Sequence, residues 1–288
     1  MGTGPFDIDT SGIEFFYHPR SIAIVGASTK SNKPGGRPLR ALRKRGYAGK
    51  VYPINPSYEE VEGYQCYPSL LDVPGDVDMA IISLPAESVL EVLRQCAAKD
   101  VKVVVIFSAG FAEVGGEGEA LQQQVRELAG ANNIRILGPN SLGVINSANS
   151  ATASFAFIAD LEPVTPGTLA FVSQSGAFGA MMYAQATEAG VGCSSFTSVG
   201  NEAEAEFSDF VGYLLDTPET QVIGGYLEGA RDGDKLRRVA EKALSLRKPM
   251  LILKVGRTGA GARAASSHTG SLAGDDQIYD AFFRQMGI

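Results

Sequence analysis

The sequence predicts an α/β protein of two consecutive units, a Rossmann-like domain over 1–150 and a flavodoxin-like parallel domain over 151–288. Three observations predict it. Short apolar runs alternate with amphipathic stretches of helical length, the pattern of a parallel sheet with right-handed crossovers. The rhythm breaks over 147–166, where Ser, Ala and Asn give way to Pro163 and Pro166, and then restarts. A chain of 288 residues also exceeds one average domain.

Residues 1–20 are polar around an aromatic patch, Phe15–Tyr17, and read as a lead-in that packs on the first sheet; His18, before Pro19, reads as structural. Ser21–Val25 is a buried strand, broken by Gly26, Ala27 and Ser28. A glycine-bearing loop then runs to Gly36 and a helix spans 38–45. Lys50–Ile54 is the second strand, halted at Asn55 and Pro56, because proline removes a ladder donor. The third strand, Val77–Ile82, stops at Ser83–Pro85 and precedes an amphipathic stretch over 87–99. The fourth, Lys102–Phe107, leads through Ser108–Gly110 to a helix over 117–129, and the fifth, Ile134–Leu137, ends at Gly138–Asn140. After the break, strands are expected at 168–172, 193–199, 222–227 and 250–255, and helices at 176–189, 203–215, 234–246 and 276–286.

Composition narrows the function. A net charge of −7 argues against nucleic acid or an anionic membrane as partner. No apolar run approaches the ~18 residues of a membrane helix. The three cysteines, Cys66, Cys96 and Cys193, are widely spaced without metal-ligand pairing, so reduced thiols, a cytoplasmic location and no metal site are expected.

Ligands of open α/β sheets bind at the carboxyl ends of the strands. In the first unit those ends carry small, polar or turn-forming residues, and a cleft for a nucleotide-like ligand is expected from Gly26, Ala27, Ser28, Lys33, Gly36, Asn55, Pro56, Ser83, Pro85, Ser108, Gly110 and Asn140. The redox-dinucleotide fingerprint is incomplete: the second glycine is missing after Gly26, and Asn55 stands where a ribose-binding carboxylate belongs. Lys30, Lys33 and Arg37 offer cations that suit coenzyme A with its extra ribose phosphate.

The second unit carries the sharper pattern. Ser173, Gln174, Ser175, Gly176 and Ala177 take a strand straight into a helix whose first-turn N–H groups can hold an anion. The turn with Gly200 and Asn201 repeats this, and both are expected to bind phosphate. Glu228 follows the next strand, where an exposed carboxylate can orient an imidazole N–H. The strand after that leads into Lys254–Gly274, a loop with five glycines and His268 among Ser266, Ser267, Thr269 and Ser271. Imidazole is a competent nucleophile near neutral pH. A transiently phosphorylated histidine is one reading; an exposed histidine in a flexible loop is the other.

These stretches together resemble the nucleoside-diphosphate-forming acyl-CoA synthetases, typified by ADP-forming acetyl-CoA synthetase and more distantly by the α subunit of succinyl-CoA synthetase. The resemblance lies in Pro19–Ser28, Gly138–Gly143, Ser173–Ala177, Tyr226–Gly229 and Ser267–Gly274, in the family's order. It implies that the first domain binds CoA, that His268 carries the phosphoryl group and Glu228 stabilises it, and that the 173–177 turn holds phosphate. The implied reaction converts a small carboxylic acid, CoA and ATP into acyl-CoA, ADP and phosphate through an acyl phosphate and a phosphohistidine, with the acyl group and the choice of ATP or GTP open. The family also needs an ATP-grasp module, which would bind ATP and Mg. None is recognisable here, so the chain is expected to be an α-type subunit or fragment that works within an oligomer. The alternative is a CoA-binding regulatory module of a protein acetyltransferase, or a CoA sensor.

Overall fold

The computed structural model describes residues 8–30, 32–161, 165–256 and 276–288. The first sheet is parallel and five-stranded, with β1 (Ser21–Val25), β2 (Lys50–Ile54), β5 (Met79–Ile82), β6 (Val103–Ile106) and β7 (Arg135–Leu137) in the order β2-β1-β5-β6-β7. A small hairpin of β3 (Glu60–Val61) and β4 (Tyr64–Gln65) follows β2. Three helices, α2 (Arg37–Lys44), α3 (Val89–Ala98) and α4 (Glu117–Ala131), make the crossovers, and a short α1 (Glu14–Tyr17) precedes the sheet.

The second sheet has the order β13-β12-β10-β11-β8-β9. Its parallel part is β10 (Pro166–Ser173), β11 (Cys193–Ser198), β12 (Val222–Leu227) and β13 (Met250–Lys254). An antiparallel hairpin, β8 (Gly143–Asn146) with β9 (Thr152–Ser154), extends it beyond β11. The remaining helices are α5 (Gly176–Glu188), α6 (Phe207–Asp216), α7 (Gly233–Leu246) and α8 (Asp276–Met286). Among the described residues no helix is long and apolar enough to cross a membrane.

The expected strands all form, with ends moved by a residue or two. Three features differ. The limit expected at 150/151 falls inside the β8–β9 hairpin, so the chain has entered the second sheet before it reaches the proline-bearing stretch. Strands of three or four residues are too short to show a periodicity. The helix expected from Ala203 starts at Phe207, because Glu206 and Asp209 form a capping box: the Glu206 N–H donates to Asp209 Oδ2 at 2.9 Å, and the Glu206 side chain accepts in return. The β3–β4 hairpin was not anticipated.

Alternation along the first sheet decides how the two units join. Successive side chains of a strand face opposite sides. Ala23, Ala80, Ile82, Val104 and Ile106 face a core closed by α3 and α4 through Val89, Leu93, Cys96, Val125 and Ala129. Their neighbours Ile22, Ile24, Met79, Ile81, Val103 and Val105 belong to a different core, shared with Val144, Ala170, Val172, Phe207, Phe210 and Val211 of the second unit. Phe16 and Tyr17 of α1 are buried there, Phe16 with its ring 5.4 Å from Phe210 and Tyr17 with its ring 5.3 Å from Tyr213. The lead-in thus wedges between the units.

Arginines of α2 add a polar tie. Arg40 pairs with Asp160 at 2.5 Å, Arg37 donates to the Phe155 carbonyl at 2.7 Å, and Arg45 donates to Thr152 Oγ1 at 3.2 Å and to the Ile158 carbonyl at 3.1 Å. Because one core serves both units, loss of a central ring should destabilise the whole. Phe210→Ala is expected to cost about 3–5 kcal/mol in denaturant unfolding, within a single transition; two transitions with only one shifted would contradict the shared core.

Candidate functional site

The carboxyl edge of the first sheet opens into a cleft of about 430 Å³. The strand order reverses between β1 and β5, which is where a doubly wound sheet parts to admit a ligand. Gly26, Ala27, Ser28, Lys33, Asn55, Ser83, Pro85 and Ser108 line the cleft, as the sequence predicts. Gly26 has φ 88, and a Cβ there would lie 2.4 Å from the Ser83 carbonyl oxygen, so the close passage of these two loops requires glycine. Several lining side chains hold the loops themselves. Asn55 Nδ2 donates to the Ala27 carbonyl at 2.8 Å while its Oδ1 accepts from the Ser57 N–H at 2.9 Å. Ser108 Oγ donates to the Leu84 carbonyl, and Ser28 Oγ accepts from the Lys30 N–H. Lys33, exposed at the rim, is the cation that faces the cleft.

Four expected residues lie elsewhere. Gly36 is buried behind the loop at the start of α2, where its Cα packs against the Lys30 and Ser28 carbonyls. Pro56 is exposed outside the lining. The Gly110 N–H donates to Glu113 Oε1 at 2.5 Å, and Asn140 Nδ2 donates to Asn201 Oδ1 at 3.4 Å. Arg37 is engaged by Asp160 and the Phe155 carbonyl rather than turned to a phosphate. Pro34 and Gly35 of the glycine-bearing loop and Leu84 of the Ser83–Pro85 turn also line the cleft, and Tyr58, Phe107 and Phe155 do so without having been foreseen. Phe107, the last residue of an apolar run, was open to inference; Phe155 was not, because it reaches the cleft from the far side of the β8–β9 hairpin and rests on Phe107 at 4.7 Å.

In the second sheet β10, β12 and β13 are parallel neighbours, so the start of α5, Glu228 and Val255 stand in a row at their carboxyl ends. Ser175 caps α5, its Oγ accepting from the Phe178 N–H. Gly176 is half-buried and Ala177 exposed, and the first-turn N–H groups have no intrahelical acceptor, so an anion can reach them. His268 lies outside the described residues.

Glu228 departs from expectation. It is 4% exposed rather than open to solvent, and its Oε2 is buried with no hydrogen-bond partner among the described residues. An orphaned carboxylate oxygen is costly and implies a donor. Its main chain is held firmly: Lys254 Nζ donates to the Glu228 carbonyl at 2.8 Å, and the Ala230 N–H donates to the Tyr279 hydroxyl at 2.8 Å.

Other members of the expected phosphate set have different duties. Ser173 is fully buried, with Oγ donating to the Ser175 carbonyl at 2.6 Å. Gln174 is buried, and its carboxamide bonds to Glu228, Gly229 and Glu202. Gly200 and Asn201, also expected to bind phosphate, form the seam between the units. Gly200 has φ 61, and a Cβ there would meet the Pro139 carbonyl oxygen at 2.2 Å. The Asn201 N–H donates to that same carbonyl at 2.9 Å, while Nδ2 donates to Glu113 and to Gln122 Oε1. Burial pushes the Glu113 carboxyl up, but the bonds from Asn201, Gly110 and Phe111 outweigh it and hold the group below the usual carboxylate range.

Glu202, which sequence reasoning did not single out, sits between the seam and this site. It is 5% exposed, with Oε1 accepting from the Phe207 N–H at 2.7 Å and Oε2 from Gln174 Nε2 at 3.0 Å. Burial pushes its carboxyl up to about 8. No group of three or more His, Cys, Asp or Glu among the described residues could hold a metal ion.

Comparison with known proteins matches residues 20–147 to a CoA binding domain and residues 166–288 to a succinyl-CoA ligase-like flavodoxin domain. The II subunit alpha of an ADP-forming acetate–CoA ligase from Pyrococcus furiosus is 42% identical over 276 residues, which is 96% of this chain and 59% of that protein. A 4-hydroxybutyrate–CoA ligase (ADP-forming) from Nitrosopumilus maritimus is 40% identical over 93% of this chain and 38% of its own length. The solved structure of a dinucleotide-forming acetyl-coenzyme A synthetase 1 from Ca. Korarchaeum cryptofilum, in complex with phosphate and ADP, superposes with a TM-score of 0.89 at 42% identity, over 96% of this chain and 58% of that one. The chain therefore spans less than two thirds of the length of each.

The Glu202 environment has a measurable signature. A carboxyl whose folded pKa is raised binds its proton more tightly when folded, so stability falls as pH rises from about 4.5 towards 8. In that window the loss approaches about 1.4 kcal/mol per pH unit. Glu202→Gln should show a flatter profile of denaturation midpoint against pH over this range than wild type; parallel profiles would mean that Glu202 titrates normally.

Proposed function

The chain belongs to the NDP-forming acyl-CoA synthetase family, over its α-type part, and on that premise we propose that it is the CoA-binding and phosphohistidine-bearing portion of an ADP-forming acid–CoA ligase. An ATP-grasp subunit or domain binds ATP and Mg and supplies the γ-phosphoryl group. His268 accepts that group, ADP leaves, and the phosphoryl passes to the carboxylic acid to give an acyl phosphate. The CoA thiol then attacks the acyl carbon and phosphate departs, so that acid, CoA and ATP become acyl-CoA, ADP and phosphate.

The single observation that carries the reading is Glu228. Among the described residues its Oε2 lies buried without a donor at the carboxyl end of β12, between β10 with its helix start and β13, which precedes His268 in the chain. An imidazole N–H there would satisfy the oxygen, and the carboxylate would stabilise the cationic ring that phosphoryl transfer requires. The first-turn N–H groups at Ser175, Gly176 and Ala177 would hold the phosphoryl oxygens while the group moves. The 430 Å³ cleft, with Lys33 at its rim, would take CoA. Three buried thiols, Cys66, Cys96 and Cys193, suit a reducing cytoplasm.

Mixed with its ATP-grasp partner and γ-labelled ATP, the chain should take up an acid-labile, base-stable label, and His268→Ala should abolish it while leaving CoA binding intact. Glu228→Gln should lower the phosphohistidine yield about ten- to a hundred-fold, the effect of losing a hydrogen bond to a charged group, roughly 1.5–3 kcal/mol. An acid-stable label that survives His268→Ala would move the acceptor to a neighbouring hydroxyl and overturn the mechanism.

CoA binding to the chain alone, followed by calorimetry, should weaken as salt rises, because phosphate contacts are screened. Tight binding of NAD with no response to CoA would contradict the cleft assignment.

A further inference from the structure

We infer that Gln174 and Glu202 are positioning residues for Glu228: the Gln174 carboxamide, oriented by the Glu202 side chain, fixes the main chain that carries the Glu228 carboxylate. The inference rests on the phosphohistidine reading of Glu228 for its functional meaning, and on the hydrogen-bond geometry for its existence.

Gln174 is used to capacity. Its Oε1 accepts from the Glu228 N–H at 2.6 Å and from the Gly229 N–H at 3.2 Å. Its Nε2 donates to the Gly229 carbonyl at 2.8 Å and to Glu202 Oε2 at 3.0 Å. Two acceptor and two donor positions are all that a carboxamide has, so its orientation is determined by its partners. The first of these contacts joins β10 to the turn after β12 across the strand boundary, where the sheet ladder has already ended with the Gln174 N–H donating to the Tyr226 carbonyl.

Glu202 keeps the carboxamide from turning over. With Gln174 flipped, the side-chain oxygen would face the Gly229 carbonyl and, when Glu202 is ionised, a second acceptor in its Oε2, and the NH2 would face two N–H donors. Glu202 itself is held at Oε1 by the Phe207 N–H, the first residue of α6, and its own carbonyl accepts from Arg231. All three side chains, Gln174, Glu202 and Glu228, are less than a tenth exposed, so water does not stand in for a lost partner. An apolar residue at 174 would fill the space yet leave two N–H groups, one carbonyl and one carboxylate oxygen unpaired.

The functional consequence follows from the orphaned Glu228 Oε2. The direction of that oxygen depends on the Glu228 main chain, and displacing a reacting constellation by about 1 Å can reduce a rate about a hundred-fold. Gln174 therefore acts through Glu228 and needs no contact with phosphate.

Reversal of the pair tests this. Gln174→Glu keeps the acceptor for the Glu228 and Gly229 N–H groups but sets an oxygen against the Gly229 carbonyl and against Glu202; Glu202→Gln removes the acceptor that Gln174 Nε2 or the Phe207 N–H requires. In the double variant Gln174→Glu/Glu202→Gln, the new carboxamide at 202 can accept from Phe207 and donate to the new carboxylate at 174, while the Gly229 carbonyl stays without the donor that Gln174 gave it. With the ATP-grasp partner and γ-labelled ATP, each single variant should label at least ten-fold more slowly than wild type, and the double variant should label faster than either single variant without reaching the wild-type rate. Amide hydrogen exchange at Glu228 and Gly229 should quicken in each single variant and slow again in the double. Unchanged exchange at those two amides in both single variants, or a double variant no better than the singles in exchange and labelling, would overturn the inference. If exchange follows the expected pattern and labelling does not, Gln174 is structural only and the positioning role falls. Should wild type take no label at all, the phosphohistidine reading fails, while the exchange data alone still decide whether Gln174 and Glu202 hold the turn.

Discussion

The structure depends on a place where a side chain cannot fit. At Gly200 the turn after β11 lies with its backbone against the Pro139 carbonyl, and a Cβ would overlap that oxygen. The contact continues as main-chain bonds, with the Asn201 N–H on the Pro139 carbonyl, the Ala203 N–H on the Gly138 carbonyl and the Ala205 N–H on the Ile136 carbonyl. The carboxyl end of the first sheet at β7 is thereby joined to the carboxyl end of the second at β11. Open α/β sheets take ligands at these ends, so one seam sets the relation between the first-sheet cleft and the edge that carries Glu228.

Polar groups extend that seam inward on both sides. Toward the first unit, Asn201 reaches Glu113 and Gln122, and Glu113 in turn bonds the N–H groups of Gly110 and Phe111 in the loop after β6. Toward the second, the next residue, Glu202, bonds Gln174 and through it the Glu228–Gly229 turn. Buried polar groups of this kind are stable only when every member finds a partner. Among the described residues these partners are found, except at Glu228 Oε2, which is the atom that the proposed chemistry would satisfy.

The first-domain cleft divides its labour differently. Its polar side chains, Asn55, Ser28 and Ser108, mostly bind neighbouring main chain, which keeps loops rich in small residues in one shape. Phe155, carried on the segment that the α2 arginines hold, closes the far wall. A preformed cleft of this kind binds without first having to order its loops.

By itself the sequence determined the two α/β units, their parallel strands in order along the chain, and the small-residue turns at the strand ends. These are local properties: apolar runs, proline and glycine breaks and helix-length amphipathic stretches are written in neighbouring residues. The family likeness was legible for the same reason, since its motifs are contiguous. Tertiary structure alone decided which of two chemically similar groups serve the site. Gly26 and Gly200 both follow strands, yet one lines a cleft and the other packs against a loop of the other unit. Ser173 and Gln174 read as phosphate ligands because they precede a helix; in the structure both are buried, Ser173 bonding a main-chain carbonyl and Gln174 bonding the Glu228–Gly229 main chain and Glu202. Glu202 carried no local signal at all, because its role comes from partners 28 residues back in the chain at Gln174 and five ahead at Phe207. Spacing along a chain encodes the period of a helix or strand; which strand ends meet across two sheets is set by packing between surfaces far apart in sequence.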